Sequence, residues 1–496
     1  EVKAVEGVQA AAVIVREDTP GDQRIVAYVV GDADGAEIKR RVARQLPAYM
    51  VPSAVVTLGA LPLTVSGKLD VRALPVPAVE NPGPGRRPST PREEAACRCF
   101  AETLGLDEVH VEQGFFELGG HSLLAVRLIS RWQETVGGSI TLRDVFEVPT
   151  PLGLLDRSVA DAEPEPDLVP CERHGDVPAS APQRRMWFLS RLDEAAVYNV
   201  PIVLQVAGRL DEDALQAALN DLVGRHESLR TIFPDVDGTP YQRILPAGTM
   251  VPLDVRETDD ADEVDAILTR IAREPFDLGR EIPLRATIVR GRTRDVLALV
   301  LHHIATDGWS VTPLARDLGL AYAARELGAA PGWEPLPVQY ADYTEWLRRR
   351  AGTHDPRAGL DHWVRTLTGL PAEIPLPYAR QRHGRPTNAG SWVPFSIDAE
   401  LHRRIDELAH GCGVTTFMVL QAAMALTLRL LGAGADIPLG TMVAGRDHEA
   451  LSDLIGLFIN AIVLRTDVSG DPTFRELLSR VRETDLAAFD HQDVAF

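Results

Sequence analysis

Apolar residues recur along the chain with different periods, and the changes of period divide the sequence into three blocks. The first block begins with two β-rich runs, residues 8–16 and 24–30, followed by apolar positions at helical spacing over residues 37–46. This order of strands and helix predicts a small α+β unit over residues 1–74.

The second block, residues 92–160, has helical periodicity. One helix is predicted over residues 93–104 and another over 122–136, where four aliphatic residues form an apolar stripe. Two shorter apolar stretches after residue 140 supply further turns. The block therefore predicts a small four-helix bundle.

The third block, residues 173–496, alternates strands with helices. Strands are predicted over residues 202–206 and 295–303, and long helices over 400–410 and 416–431. This alternation indicates an α/β fold, and about 320 residues are enough for two lobes.

Two segments without either period join the blocks. Residues 75–91 contain six prolines with glycines among them, and residues 161–172 are acidic and also contain proline. Such composition favours an extended, semi-rigid chain. We therefore expect three domains joined by two linkers.

Composition narrows the class of protein. The 496 residues are 45% hydrophobic and 25% charged, which is ordinary for a globular protein, and the net charge of −20 disfavours nucleic acid and anionic membranes as partners. No stretch approaches the ~18 apolar residues of a membrane span. Four scattered cysteines form neither a disulfide framework nor a zinc pattern. We expect a cytoplasmic protein, and both ends of the sequence look like those of a fragment.

A pair of glycines precedes a serine at the predicted start of the second helix of the bundle. The segment FFELGGHSLLAVRL places Gly119 and Gly120 in a tight turn and Ser122 at the helix N-terminus. A serine in this position is usually a helix cap. A cap, however, requires neither the two glycines nor the preceding phenylalanines, which are expected to anchor the loop on the bundle.

This segment resembles the attachment site of peptidyl carrier domains. The resemblance implies that the Ser122 hydroxyl receives 4′-phosphopantetheine from coenzyme A through a phosphopantetheinyl transferase, and that the attached thiol carries an aminoacyl or peptidyl thioester. The free N–H groups and the dipole of a helix N-terminus suit the attached phosphate. It further implies that the second helix is a docking face, to which Leu123, Leu124 and Arg127 contribute.

Two adjacent histidines end the most apolar strand of the third block. Successive side chains of a strand point to opposite faces, so His303 shares a face with Leu301, and His302 lies on the other face. Such neighbours cannot easily bind one metal ion together. A metal hydrolase that uses His302, His303 and Asp307 is therefore a disfavoured alternative, which metal analysis would decide.

The pattern HHIATDG resembles the His-His-x-x-x-Asp-Gly signature of condensation domains, whose two lobes each resemble chloramphenicol acetyltransferase. Further segments match that family in order: residues 180–192, 225–233, 455–460 and 491–494. The resemblance implies amide formation between a thioester on one carrier and an α-amine on another. His303 would be the central residue, either as a general base or as a group that positions the amine and stabilises developing charge.

The resemblance also implies roles for the neighbours of His303. Asp307 is expected to be a structural aspartate that pairs with a buried arginine, with Arg225 as the first choice and Arg230 as the second. Three further residues are expected to shape the loop by packing or by close backbone approach: His302, Gly308 and Trp309.

The first block ends in LTVSGKLD, residues 63–70. Lys68 is one of only three lysines, although lysine and arginine together number 51; a compact ammonium that arginine cannot replace is a reason to retain it. With the preceding MVPSAVVTLGALPLT, the segment resembles the C-terminal subdomain of adenylating enzymes. The resemblance implies that Lys68 contacts the adenylate in a complete enzyme. The adenylation core is absent from the sequence, so ATP and Mg²⁺ enter only through that core, and no adenylation is expected of this chain alone.

The order adenylation, carrier, condensation resembles a nonribosomal peptide synthetase of secondary metabolism, such as antibiotic biosynthesis. It implies that the donor is held on Ser122 and is L-configured, and that the acceptor is the aminoacyl group on a downstream carrier. The adenylation core of the same module is a further expected partner. The condensation domain, residues 173–496, is expected to be truncated at its C-terminus. A non-catalytic, condensation-like docking module remains the other alternative.

Overall fold

The computed structural model describes residues 5, 7–19, 22–31, 38, 54–58, 62, 74, 86–120, 122–158, 167–173, 175–192, 196–258, 260–292, 294–353, 357–371, 373–377, 390 and 393–494. Lys68 lies outside these residues, so its expected role stays a prediction. The side chain of Ser122 is also outside the description, whereas its backbone is included.

The described part of the first block is a three-stranded sheet. Strand β1 (Val8–Thr19) pairs antiparallel with β2 (Asp22–Gly31), and β2 pairs in parallel with β3 (Ala54–Thr57). The two strands predicted at the start of the chain are confirmed, and each is longer than the β-rich run that predicts it. Of the helix predicted over residues 37–46, only Ile38 is described, and it is helical and buried.

The second block is a helical bundle, and its four described helices are α1 (Pro91–Leu104), α2 (Ser122–Thr135), α3 (Leu142–Glu147) and α4 (Pro151–Arg157). Its core contains three fully buried aromatic residues in edge-to-face contact, with the Phe100 ring centroid 5.5 Å from that of Phe115 and 6.4 Å from that of Trp132. Aromatic pairs of this geometry add stability beyond the apolar area that they bury. The predicted bundle is confirmed.

The first lobe of the third block is built on a mixed sheet. Its elements are β4 (Val177–Pro178), α5 (Ala181–Leu192), β5 (Asn199–Ala207), α6 (Glu212–Arg225), β6 (Thr231–Ile232), β7 (Asp235–Val236), β8 (Thr239–Ile244), β9 (Leu253–Glu257), α7 (Ala261–Ala272), β10 (Leu284–Arg290), β11 (Arg294–His302), α8 (Val311–Glu326) and α9 (Tyr340–Thr353). The main sheet has the order β5-β11-β10-β9, and only β9 and β10 run in parallel.

Strand β11 lies in the middle of this sheet, which explains why it is so apolar. One of its faces contributes Leu297, Leu299 and Leu301 to a core that it shares with leucines of α6 and α8. Burial of this face fixes the register of the strand, because a slip of one residue would move every leucine to the opposite side. The strand therefore holds its C-terminal end, where the histidine pair lies, at a defined place.

The second lobe has its own core around two packed helices. Its elements are α10 (Arg357–Leu367), α11 (Ala399–Cys412), α12 (Thr416–Leu430), β12 (Asp436–Val443), β13 (Asn460–Asp467) and α13 (Phe474–Phe489), and β12 pairs antiparallel with β13. The two long helices predicted here are confirmed. No single helix among the described residues is long and apolar enough to cross a membrane; α11 and α12 pass that test only as a pair, bent by 102° at the break between them.

One carboxylate in the core of the second lobe has an incomplete set of partners. Asp485 of α13 is fully buried; its Oδ1 accepts a hydrogen bond from Nε2 of Gln421 at 2.9 Å, while its Oδ2 has no partner among the described residues. Burial raises the pKa of Asp485 to about 7, although the bond from Gln421 opposes the change. Because this pKa lies above that of an unfolded aspartate, about 3.9, ionisation of Asp485 costs folding free energy, and the cost grows from pH ~4 to pH ~7.

We therefore expect Asp485→Asn to raise the free energy of unfolding at pH 8 by about 1–3 kcal/mol, with a gain that shrinks as the pH falls towards 4. Chemical denaturation at a series of pH values measures this difference. The control is Asp361→Asn, because Asp361 is an exposed residue of α10. A loss of stability in Asp485→Asn at pH 8 would show that the buried carboxylate stabilises the fold as an anion.

Candidate functional site

The glycine pair sets the turn that leads into α2. Gly119 has a φ of 95°, which disfavours any side chain, and a Cβ built on Gly120 would overlap the buried ring of Phe115. The N–H of Gly120 also donates to the carbonyl of Phe115 at 2.9 Å. Phe115 thus anchors the loop on the bundle, as the sequence predicts, and the helix begins at Ser122.

His302 is the last residue of β11 and lies in an apolar, closed environment. It is only 4% exposed, its ring meets the ring of Phe276 edge-on at 5.9 Å, and its Nδ1 accepts the backbone N–H of Ile304 at 3.1 Å. Burial lowers the pKa of His302 to about 4, and His303 acts in the same direction. The imidazole of His302 is therefore neutral, and its accepting Nδ1 places the proton on Nε2. His302 thus caps the short turn that follows the strand.

His303 has left the strand and starts a short 3-10 turn that ends at Ala305. Its backbone N–H donates to the carbonyl of Tyr198 at 2.8 Å. The residue is partly exposed, and its Nδ1 is buried without a hydrogen-bond partner among the described residues. The sequence predicts a strand through His303, but the strand ends at His302, so the turn rather than strand alternation separates the two rings.

Asp307 is the centre of a buried network. Its Oδ1 accepts from the backbone N–H of Ser310 at 2.9 Å and from the Ser310 hydroxyl at 2.8 Å, and its Oδ2 accepts the backbone N–H of Phe458 at 3.0 Å. Nη2 of Arg446 lies 3.1 Å from Oδ1 and donates also to the Ser310 hydroxyl at 3.0 Å. Apart from Ser310, the partners of the Asp307 carboxylate come from the second half of the third block.

Arg446 reaches Asp307 across a close contact between backbones. The Arg446 guanidinium lies over the ring of Phe458, with its carbon 4.1 Å from the ring centroid. The preceding residue, Gly445, has a φ of 61°, and a Cβ there would overlap the carbonyl oxygen of Phe458. Gly456, in the segment that resembles a late condensation motif, exchanges hydrogen bonds with the Ser310 hydroxyl. Glycines at 445 and 456 therefore allow the second lobe to close on the Asp307 loop.

The prediction that Arg225 pairs with Asp307 is wrong, and the second choice, Arg230, is wrong as well. Nε of Arg225 donates to Asp317 at 2.8 Å. Arg230 donates to two backbone carbonyls at the end of α6 and to the carbonyl of Leu245, just after β8. Both arginines are held within the first lobe. The Asp307 carboxylate instead faces a segment of the second lobe, where Arg446 lies.

Asp317 of α8 is a buried residue that sequence reasoning missed. Burial opposes its charge, but hydrogen bonds from His226, Arg316 and Arg225 outweigh this effect and hold the pKa of Asp317 below its usual range. Arg316 continues to Asp453 at 2.6 Å. A single aspartate in a helix has no sequence signature, so only the fold shows these contacts.

A cavity of about 530 Å³ lies beside the Asp307 loop, between the helical bundle and the third block. Trp309, for which packing is predicted, is instead 41% exposed and lines this cavity. The bundle contributes Arg127 to the wall, together with Leu142 and Phe146 of α3. Of the other predicted docking residues, Leu124 packs on the core of the bundle, and the side chain of Leu123 is outside the description.

Gly308 is exposed, and a Cβ built on it would meet no atom within 4 Å. Its predicted close approach is therefore not made to another described part of the chain. The three residues of the metal-site alternative do not converge: His302 accepts a backbone N–H, Asp307 is bound by Arg446, and no group of three or more His, Cys, Asp or Glu residues in the described ranges could hold a metal ion.

Three family models match the chain in the order that the sequence predicts. The AMP-binding enzyme C-terminal domain matches residues 2–68, the phosphopantetheine attachment site matches 94–157, and the condensation domain matches 173–496. The condensation-domain match alone covers more than half of the chain.

Known proteins align with almost the whole chain. It is 49% identical over 499 residues to a dimodular nonribosomal peptide synthase of Bacillus subtilis (strain 168), and 46% identical over 501 residues to a probable non-canonical nonribosomal peptide synthetase of Salinispora arenicola (strain CNS-205). The first alignment covers 99% of this chain and 21% of the relative, and the second covers 98% of this chain and 6% of the relative. The chain thus spans about a fifth or less of these relatives.

Solved structures resemble the third block. The X-domain from teicoplanin biosynthesis has a TM-score of 0.62 and 35% identity, and the match covers 67% of this chain and 74% of that one. The first condensation domain of the CDA synthetase has a TM-score of 0.54 at 20% identity, over 65% of this chain and 78% of that one, which shows the fold alone. The predicted multidomain architecture with a two-lobed, chloramphenicol-acetyltransferase-like domain is confirmed.

The contact between Asp307 and Arg446 can be measured with a double-mutant cycle. Asp307→Asn and Arg446→Gln are each expected to lower the free energy of unfolding by about 3–5 kcal/mol, because each leaves a buried partner unpaired. The loss of stability in the double variant should be about 2 kcal/mol smaller than the sum of the two single losses, because residues in contact are energetically coupled. Chemical denaturation gives all four values.

The matched cycle uses Arg225→Gln in place of Arg446→Gln. Since Arg225 binds Asp317 and not Asp307, its effect and that of Asp307→Asn should add within about 0.5 kcal/mol. Strong coupling to Arg225, or none to Arg446, would contradict the assignment.

Proposed function

Because the chain belongs to the condensation-domain family, and joins that domain to a phosphopantetheine attachment site as nonribosomal peptide synthetases do, we propose that it forms peptide bonds. The donor is an aminoacyl or peptidyl group held on Ser122. The acceptor is an α-amine held on a downstream carrier. The amine nitrogen attacks the carbonyl carbon, and the carbon–sulfur bond breaks with its electron pair on sulfur. The proton that the amine gives up ends on this sulfur, so the products are an amide and a free thiol.

The observation that carries this proposal is the cavity of about 530 Å³ that the bundle and the condensation domain line together. Arg127 lies on the same helix as Ser122, and Trp309 lies one residue beyond the His-His-x-x-x-Asp-Gly pattern. The helix that begins at Ser122 thus contributes to the wall of a space that also borders the Asp307 loop. The open side of Gly308 adds room for a substrate.

The residues present fit 4′-phosphopantetheine. The first turn of α2 has backbone N–H groups without intrahelical partners, which favour a phosphate. Arg127 of the same helix adds a positive charge to the wall of the cavity. When attached, the group supplies the thiol that carries the acyl chain. A phosphopantetheinyl transferase is the partner that the attachment requires.

We assign the central role to His303. Its Nδ1 is buried, so Nε2 is the ring atom left for a substrate amine. In catalytic triads a carboxylate orients the basic imidazole, but the carboxylate of Asp307 is taken up by Arg446 and two backbone N–H groups. This arrangement supports a His303 that positions the amine and stabilises its developing charge, rather than a strong general base.

The remaining expectations follow from domain order. The donor is L-configured, and the acceptor is the aminoacyl group of the next module's carrier. The adenylation core of the same module uses ATP and Mg²⁺ to load the amino acid onto the group attached at Ser122. Lys68 contacts the adenylate in that complete enzyme. The protein is cytoplasmic.

A non-catalytic docking module is the second candidate. One observation favours it: a similar structure, at a TM-score of 0.63 and 35% identity, is titled a complex of the X-domain and OxyB from teicoplanin biosynthesis. The partial exposure of His303 and the complete Asp307 network support the catalytic interpretation.

Ser122 is expected to be the only attachment site. Incubation with coenzyme A and a promiscuous phosphopantetheinyl transferase should add one pantetheine group to the wild type and to Ser130→Ala, a control on the same helix, and none to Ser122→Ala. Intact-mass spectrometry measures the adduct. A group that persists in Ser122→Ala would contradict the carrier assignment.

Loss of the His303 imidazole is expected to slow amide formation by roughly 10²-fold in single turnover. The experiment loads a donor on Ser122, supplies an acceptor carrier and compares His303→Ala with His302→Asn. The asparagine keeps an acceptor for the Ile304 N–H, so the loop should stay folded and the rate should fall only severalfold.

Thermal unfolding checks that both variants are folded. Equal rates in wild type and a folded His303→Ala would remove His303 from the mechanism. A large loss in His302→Asn alone would assign the chemistry to the other histidine.

A further inference from the structure

The segment between β12 and β13 at residues 446–453, called here the 446–453 segment, is held firmly on its inner side. Nη2 of Arg446 binds Asp307, and Nη1 donates to the carbonyls of Leu451 at 2.6 Å and Leu454 at 2.8 Å. The same arginine therefore folds the segment into its turn and ties it to the reactive loop. At the far end, Asp453 binds Arg316 of the first lobe.

The outer side of the segment contacts α2 of the carrier. Nη2 of Arg131 lies 2.8 Å from Oε1 of Glu449, and Oε1 of Glu134 lies 3.5 Å from Nε2 of His448. Nδ1 of His448 accepts the N–H of Ala450 at 3.2 Å, so its Nε2 carries the hydrogen that faces Glu134. The carrier helix thus supplies the donor of one pair and the carboxylate of the other, and the 446–453 segment supplies the matching carboxylate and donor.

A second contact lies one helix further along the carrier. Nη1 of Arg143 in α3 lies 3.1 Å from Glu483, in the C-terminal half of α13, and its Nε lies 3.8 Å from Asp490, the residue after that helix. Together with the 446–453 segment, these residues form a polar surface around the cavity that Arg127 and Trp309 line. The four ion pairs named here between the carrier and the condensation domain each join opposite charges.

We propose that the 446–453 segment is the surface by which the condensation domain recognises the carrier of its own chain. The partner is a helix with an arginine and a glutamate three residues apart, here Arg131 and Glu134. Because Arg446 links the segment to Asp307, a carrier seated on it is registered against the reactive loop. This inference rests on the proposed peptide-bond formation and adds the element that positions the donor.

The weak contact between the carrier and the 446–453 segment suits a carrier that must bind and dissociate repeatedly. Glu449 is largely exposed, as its side chain keeps 63% of its surface. Exposed ion pairs contribute little each and weaken with salt. The inner contact between Asp307 and Arg446 is expected to persist, because both side chains are buried. Docking is thus reversible, while the surface that receives the carrier stays in place.

The test reverses charges across the contact. The variants are Glu449→Arg, Arg131→Glu and the combination of both, with Glu257→Arg as the control, because Glu257 is exposed on β9 at the far edge of the first lobe's sheet. Hydrogen exchange of the amides of residues 446–453 in the full chain measures docking without any need for turnover. Each single reversal should speed this exchange about threefold to tenfold, the combination should recover at least half of the change on a logarithmic scale, and the control should not alter it.

A second measurement connects docking to transfer. The rate from a donor loaded on Ser122 is divided by the rate from a soluble aminoacyl thioester given to the same variant in a Ser122→Ala background. This ratio should fall about threefold to tenfold in Glu449→Arg and recover with Arg131→Glu. A general structural defect would lower both rates and leave the ratio unchanged.

Unchanged exchange in both single reversals, or a combination worse than either, would overturn the proposal. So would an unchanged ratio in Glu449→Arg. If exchange responds as expected but the wild type transfers from neither donor, the docking surface stands and the proposed peptide-bond formation fails. The two hypotheses are therefore separated by the outcome.

Discussion

The buried pair of Asp307 and Arg446 is the contact on which the arrangement of the condensation domain depends. An isolated carboxylate in this position would be costly, because the side chain of Asp307 is fully buried. The fold meets the cost with Arg446, the Ser310 hydroxyl and two backbone N–H groups. The loop that follows the histidine pair therefore holds this conformation only when the second lobe packs against the first.

The same contact explains how two neighbouring histidines come to differ. His302 remains in the strand, where burial keeps it neutral and its Nδ1 caps the next turn. His303 begins the turn that follows the strand and is partly exposed. Since the Asp307 carboxylate is already bound, it does not orient the ring of His303. The two histidines thus differ in burial and in hydrogen bonding, although they are neighbours in the sequence.

Charged contacts in this protein fall into two classes with different uses. Those at Asp307 and Asp317 are buried, have several partners each and hold the first and second lobes in place. Those between the carrier and the condensation domain, such as Arg131 with Glu449 and Arg143 with Glu483, are more exposed. Burial makes the first class expensive to break, whereas solvent makes the second class easy to break. The first class therefore fixes the inside of the condensation domain, and the second class joins that domain to the carrier.

The sequence by itself determined the features that depend on neighbours along the chain. The glycine pair before Ser122, the apolar strand β11 and the apolar stripe of α2 are local patterns that the sequence predicts, although the strand ends one residue earlier than expected, at His302. Tertiary structure alone decided the rest. Arg446 lies 139 residues from Asp307, and among many arginines no period or motif indicates which one reaches a given carboxylate. Asp317, the exposed Trp309 and the pairing of Arg131 with Glu449 are likewise set by which surfaces meet, because the geometry of contacts distant in sequence is fixed by packing and not by local spacing.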